Sequence, residues 1–220
     1  MASEQVNAVA REPRPEDAVA VSSPAHPITR RSLLAGLGAG ALLTLAACAP
    51  GGTQDNSAAG AGYISADGSF ASWPPDERSE PIVLVGTTYG GEELDLADWR
   101  GDVAVVNFWY AACPPCRAEA PDLKSIHEDY TSQGLKMLGV NPRDDVGTAQ
   151  AFERTFEVPY PSLYDKDAGA VAAFEGLVPL RAMPTTIVLD RQGRVAARIL
   201  GQFDPTILRG LIDDALAEEA

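Results

Sequence analysis

The chain has 220 residues, 45% hydrophobic and 22% charged, with 17 Pro, 20 Gly and 3 Cys. That composition fits one globular domain with appendages and excludes a wholly disordered chain, a collagen-like chain and a disulfide-dense mini-protein. A formal net charge of -14 argues against non-specific binding to a phosphate backbone, which relies on Lys and Arg. The two histidines, His26 and His127, are too few for a multi-histidine metal site.

Residues 1–31 are polar and without periodicity. Arg30-Arg31 then precedes an apolar run of about 15 residues that ends at Ala47, shorter than the ~20 residues a membrane helix needs. A positive pair followed by a short apolar region is a signal-peptide pattern, and the Arg pair resembles a twin-arginine export signal. The ending Leu45-Ala46-Ala47-Cys48 resembles a bacterial lipobox, in which the Cys is acylated and becomes the first mature residue. The alternative is a short anchor helix with an incidental Cys. Residues 1–47 are read as the signal peptide. They hold four basic and four acidic residues, so the remainder keeps 13 against 27 and the same net charge. Anionic lipid repels such a surface, which leaves acyl chains on Cys48 as the membrane anchor. Residues 48–72 comprise that Cys and a tether of small and polar residues with one possible strand. The folded domain is expected to begin near Tyr63 or Trp73, and the main domain is assigned to 73–220.

Within the tether, Tyr63–Ser65 and Ser69–Trp73 flank Asp67-Gly68, a hairpin signal. Pro81–Val85 and Glu93–Leu96 are short strand candidates. Val103–Trp109 is a nearly continuous apolar run and fits a strand buried on both faces. The residue pattern predicts a helix over Pro114–Thr131 with Gly134 as its stop, a strand over Met137–Val140 and a helix over Thr148–Phe156. Pro159 and Pro161 break the chain before a short strand and helix within Ser162–Glu175. Thr185–Leu189 and Val195–Leu200 form a hairpin around Asp190-Arg191-Gln192-Gly193. Asp204-Pro205 opens the last helix, an N-cap followed by proline in the first turn. Helices alternating with strands, closed by a hairpin, imply an α/β fold: a central mixed sheet flanked by helices, with an N-terminal β-hairpin extension.

With Cys48 acylated, only Cys113 and Cys116 remain, spaced Cys113-Pro114-Pro115-Cys116 between a buried strand and a helix start. That context suits a redox CxxC motif. The unpaired N–H groups and positive dipole end of a helix start favour the Cys113 thiolate, the attacking species. Cys116, one turn on, can resolve the mixed disulfide that Cys113 forms. Pro114 and Pro115 stiffen the loop and supply no N–H, which limits that stabilisation. One CxxC is half of a zinc site, and nothing else completes it. A purely structural disulfide closing so small a loop gains little entropy.

On a helix, Cys116, Glu119, Leu123, Ile126 and Tyr130 share one stripe. Its apolar members turn the stripe inward, so Glu119 is expected to be partly buried, with a raised pKa, one turn from Cys116. A carboxyl there can exchange protons with the dithiol. The alternative is a surface Glu paired with a nearby Arg or Lys. Pro121 is expected to kink this helix, and His127 reads as a partly exposed helix residue.

The stretch Val105-Val106-Asn107-Phe108-Trp109-Tyr110-Ala111-Ala112-Cys113-Pro114-Pro115-Cys116-Arg117-Ala118-Glu119-Ala120-Pro121 resembles the active-site segment of the TlpA/ResA-type membrane-anchored thiol–disulfide oxidoreductases. Met183-Pro184-Thr185-Thr186 is similar to that family's cis-proline loop. The resemblance spans roughly residues 75–219 and implies a thioredoxin-like fold within the redoxin (AhpC/TSA-like) superfamily. It implies Cys113 as nucleophile, Cys116 as resolving thiol and Glu119 as a third catalytic residue. Trp109, Pro114, Pro115, Met183 and Pro184 would contact substrate, with the Met183 backbone free to pair with an extended strand. No cofactor is implied.

The implied partners are a protein disulfide, with apocytochrome c as one example, and a transmembrane electron donor of the CcdA/DsbD type. The implied location is the outer face of the cell membrane, held through Cys48. Two departures stand out. Thioredoxin has a buried Asp where this chain has Asn107, so that proton acceptor is missing. Trp often precedes the first Cys, where Ala112 stands here, so the groove beside Cys113 is expected to be more open.

The leading reading is a reductase of protein disulfides. An oxidase running the same exchange backwards is the alternative, since potential decides direction. A thiol peroxidase expects Thr or Ser where Tyr110 stands, and a copper chaperone expects a His downstream of the Cys pair. The sequence leaves open whether Asn141–Asp145 is a recognition loop or a solvated turn.

Overall fold

A computed structural model describes residues 63–179 and 181–219. The expected signal peptide, Cys48 and the tether up to residue 62 lie outside the described residues.

The elements run β1 (Tyr63–Ile64), β2 (Phe70–Ser72), β3 (Val85–Thr87), β4 (Glu93–Asp95), β5 (Val103–Phe108), α1 (Pro114–Tyr130), β6 (Leu135–Asn141), α2 (Val146–Phe156), β7 (Ser162–Tyr164), α3 (Gly169–Ala173), β8 (Thr185–Leu189), β9 (Val195–Leu200) and α4 (Pro205–Ala217). Seven strands form one mixed sheet in the order β1-β2-β9-β8-β5-β6-β7, and β3 and β4 form a separate hairpin. Strand β5 lies between β6, parallel to it, and β8, antiparallel. All six of its residues are buried, as a strand covered on both faces requires.

Side chains alternate across a strand, so β5 serves two cores. Val103 and Val105 face Leu123, Ile126 and Tyr130 of α1 and Leu208, Ile212 and Ala215 of α4. Ala104, Val106 and Phe108 face the other layer, with Leu84, Leu96, Ala170 and Phe174. The odd row continues through Asn107 to Trp109, which places both under the start of α1. This alternation makes the site possible: the sheet face that carries the core delivers a polar side chain at its C-terminal end.

Local chemistry explains the ends of the elements. Asp204 accepts the Thr206 N–H at 2.8 Å and caps α4. Asp145 accepts the Thr148 N–H at 2.9 Å, so α2 starts at Val146, two residues before the expected Thr148. The cap outweighs the poor helix propensity of Val146 and Gly147. Gly134 closes the turn after α1 with φ +93°, the left-handed region glycine favours.

The strand expected at Pro81–Val85 is displaced to Val85–Thr87. Ile82 and Leu84 alternate inward, but the Ile82 N–H goes to the Gly193 carbonyl while the Leu84 carbonyl accepts from Leu96. Two single bonds to different elements make no ladder. Residues 70–72, expected within the tether, pair with β9 and belong to the main sheet.

Candidate active site

The sulfurs of Cys113 and Cys116 are joined by a disulfide, with S–S 2.09 Å and Cα–Cα 5.3 Å. Cys113 is the N-cap of α1. Its backbone is extended, and its Sγ lies 3.2 Å from the Cys116 amide that points at it. Because Pro114 and Pro115 have no N–H, that amide is the first in the helix able to serve the sulfur.

Both cysteines are buried, Cys113 at 1% exposure and Cys116 at 2%. Ala112, just before Cys113, is exposed. The pair packs in a cluster with Tyr89, Trp109, Ala120, Ala149 and Phe152. Trp109 stacks on Phe152 with centroids 4.3 Å apart. Trp109 is 4% exposed and shares its cluster with both cysteines.

The Met183–Pro184 peptide bond is cis, and the Met183 carbonyl oxygen lies 3.7 Å from Cys113 Sγ. The Thr185 hydroxyl donates to the Ala182 carbonyl at 2.8 Å and fixes the turn. Pro114 is exposed, Pro115 and Met183 half-buried, and Pro184 buried. Pro114 and Pro115 lie between the two cysteines at the start of α1, and Met183 approaches Cys113 through its carbonyl.

Glu119 is fully buried, together with the rest of the stripe Cys116, Leu123, Ile126 and Tyr130. Asn107 Nδ2 donates to Glu119 Oε1 at 2.8 Å. It also donates to Thr186 Oγ1 at 3.0 Å. Glu119 Oε2 has no hydrogen-bond partner among the described residues. Burial pushes the Glu119 carboxyl up to about 8, against the pull of the Asn107 amide and the Phe203 backbone N–H, and Asp122 adds a small push upward. A cavity of about 10 Å³, the size of one water molecule, is bordered by Cys116, Asn107, Trp109, Phe152 and Tyr160. The site therefore joins a buried disulfide to a carboxyl that is mostly protonated at neutral pH. Pro121 lies inside α1, and His127, half-buried, packs toward Tyr160 with ring centroids 5.8 Å apart.

The segment Asn141–Asp145 is a brace. Asp144 Oδ2 accepts the Ala111 N–H at 2.5 Å and Asn141 Nδ2 at 2.8 Å. The Asn141 side chain in turn accepts the Arg143 and Asp144 N–H groups at 3.0 Å each. The Arg143 guanidinium lies 4.3 Å over the Tyr110 ring, and the Tyr89 hydroxyl donates to the Asp144 carbonyl at 3.3 Å. These contacts hold residues 110–111, just before Cys113. An open groove of about 590 Å³ runs beside them, lined by Ala111, Arg117, Thr148 and Phe152 among others.

Sequence reasoning missed Tyr89 and Phe152, and held Thr186 only as part of the cis-proline loop and Asp144 only within the open Asn141–Asp145 segment. It noted Asn107 only as a missing acid. Asn107 and Thr186 were open to discovery as polar residues inside otherwise apolar strands. Tyr89 and Asp144 reach the site from distant loops and carry no local signature.

The AhpC/TSA family model matches residues 82–198. The thiol:disulfide interchange protein HelX of Rhodobacter capsulatus is 31% identical over 172 residues, covering 73% of this chain and 92% of HelX. The thiol-disulfide oxidoreductase ResA of Halalkalibacterium halodurans is 30% identical over 105 residues. That match covers 48% of this chain and 57% of ResA. Among solved structures, a secreted thiol-disulfide isomerase from Corynebacterium glutamicum aligns with TM-score 0.65 and 30% identity, covering 72% of this chain and all of that one. A DsbF homologue from Corynebacterium diphtheriae aligns with TM-score 0.61 and 31% identity, covering 70% and 99%. These alignments identify the mixed sheet and its helices as a thioredoxin-like fold.

Proposed function

Because the chain belongs to the AhpC/TSA family, and because its CxxC pair forms a disulfide at the start of a helix facing a cis-proline, we propose that it is an extracytoplasmic thiol–disulfide oxidoreductase. The observation that carries this reading is the buried Cys113–Cys116 disulfide set one turn from a carboxyl with a pKa of about 8.

The exchange runs in two steps. In the reducing direction the Cys113 thiolate attacks a substrate disulfide, forms a mixed disulfide and releases one substrate thiolate, which takes up a proton. Cys116 then loses its proton to ionised Glu119 and attacks Cys113 Sγ, expelling the second substrate thiolate. The protein dithiol is oxidised and the substrate disulfide reduced. Recharging reverses the order. A donor thiolate attacks Cys113, Cys116 leaves with the electron pair, and protonated Glu119 supplies its proton. In the oxidised protein Glu119 is mostly protonated at neutral pH, the state this second step needs.

The reducing direction is favoured, with the haem-site thiols of an apocytochrome c as substrate class and a transmembrane dithiol donor of the CcdA/DsbD type as electron source. The leader pattern ending at Cys48 supports export and anchoring by lipid at the outer membrane face. Among the described residues, no helix is long and apolar enough to cross a membrane. The Met183 backbone beside Cys113 supports docking of an extended substrate segment. Oxidation of substrates is the second reading, since the same exchange runs in either direction and the potential of the couple decides which.

Two measurements test the proposal. The potential of the Cys113–Cys116 couple, equilibrated in dithiothreitol buffers, should lie near or below about -270 mV for a reductase, whereas about -120 mV marks an oxidase. The variant Cys116→Ser should accumulate mixed disulfides through Cys113, and Cys113→Ser should not. Trapping by Cys113→Ser instead would reverse the assignment of the nucleophile.

A further inference from the structure

We propose that Asn107 is the positioning residue for Glu119: its carboxamide clamps one carboxyl oxygen and ties it to the cis-proline strand, leaving the other oxygen to exchange the proton with Cys116. The proposal deepens the oxidoreductase reading and rests on it.

The geometry is specific. Asn107 is 2% exposed and Glu119 is not exposed at all, so bulk water does not compete for either side chain. Both N–H bonds of Asn107 Nδ2 are committed, one to Glu119 Oε1 and one to Thr186 Oγ1. Asn107 and Thr186 are also backbone neighbours in the β5–β8 register, and Thr186 is two residues past cis Pro184. One side chain therefore connects three elements: the strand below the site, the helix that carries both cysteines' partner acid, and the strand that begins at the cis-proline. The clamp occupies Oε1, and Oε2 has no hydrogen-bond partner among the described residues. Asn107 and Cys116 both border the cavity of about 10 Å³.

An amide suits this role better than an acid. It cannot titrate, so a single proton is held at the site and its location is unambiguous. It donates to the ionised form of Glu119 and so restrains the upward push of burial. The other groups facing Glu119 are Asp122 on its own helix, the Phe203 N–H before α4, and the Tyr160 ring from the loop before β7, whose own hydroxyl is held protonated by burial. None of them grips the carboxyl in the way Asn107 does.

The step at stake is the opening of the disulfide. Dithiothreitol thiolate attacks Cys113, the S–S bond breaks, and Cys116 leaves with the electron pair and takes the Glu119 proton. The experiment follows this reduction in the full-length protein by tryptophan fluorescence, with rates corrected for the thiolate fraction of dithiothreitol, from pH 5 to 10. The wild-type profile should bend near pH 8. Asn107→Leu should move the bend upward by about 0.5 pH unit or more and slow the reaction several-fold. Thr186→Val, which removes the second anchor and keeps the shape, should move it the same way by less. In a Glu119→Gln background, Asn107→Leu should change nothing further, because Asn107 acts through Glu119.

An unmoved bend in both Asn107→Leu and Thr186→Val overturns the proposal, as does an equal slowing by Asn107→Leu with and without Glu119. Should Asn107→Leu fail to fold, Thr186→Val decides alone. A wild-type protein that exchanges with no disulfide or thiol overturns the oxidoreductase reading itself, a result distinct from a normal rate with an unmoved bend.

Discussion

Glu119→Gln separates the electrostatic cost of this site from its packing. Glutamine keeps the shape, and its amide oxygen can still accept from Asn107 Nδ2. The folded chain holds the Glu119 carboxyl at about 8 against an ordinary 4.5. Below pH 4.5 the carboxyl is neutral in both folded and unfolded chains and folding is not penalised. Between 4.5 and 8 the unfolded chain releases the proton while the folded chain retains it, so wild-type stability falls by about 1.4 kcal/mol per pH unit. Across the whole interval the loss reaches a ceiling of about 5 kcal/mol, above which the curve flattens. The Gln variant has no such term. Urea unfolding of the oxidised proteins between pH 4 and 9 should show the variant gaining on the wild type across that window, with unchanged m-values. A stability difference that stays constant from pH 4 to 9 would refute the claim that Glu119 is buried as a neutral acid, and with it the supply of a proton to Cys116.

Two further substitutions probe the supports of the site. A Cβ on Gly139 would stand 2.4 Å from Ser162 Oγ and 2.7 Å from Trp109 Nε1, so Gly139→Ala should cost about 1–3 kcal/mol in urea and alter the tryptophan fluorescence change on reduction. Arg78, with its side chain 4% exposed, donates to Asp190 at 3.0 Å and to both oxygens of Glu218 at 2.6 Å. Arg78→Leu should cost about 3–5 kcal/mol by leaving buried Asp190 to Arg194 alone, and Arg78→Leu/Asp190→Asn should recover part of it, as read from urea midpoints.

The residue order alone was enough to place β5, α1, the closing hairpin and α4, because each has a strong local cause. Val103–Phe108 is apolar on both faces, α4 carries its own Asp204-Pro205 start, and Asp190–Gly193 supplies a turn. The cysteine pair was equally legible, since its chemistry needs two residues at fixed spacing beside a helix start. The helical stripe from Cys116 to Tyr130 also foretold that Glu119 faces inward.

Other features came only with the three-dimensional packing. Tyr89 and Phe152 arrive from other parts of the chain and pack in the cluster that holds both cysteines. The segment Asn141–Asp145 read as a loop of undefined purpose until Asp144 was seen holding the Ala111 amide, 33 residues away in sequence. Asn107 seemed to mark a lost proton acceptor. Its role depends on β5 pairing with β8 and on α1 lying across both, which brings Thr186 and Glu119 to one amide. Local sequence decides which residues form a helix, a strand or a thiol pair, because those causes act within a few residues. Which polar groups share a proton inside the fold is set by strand register and helix packing, which join residues that no short stretch of sequence contains together.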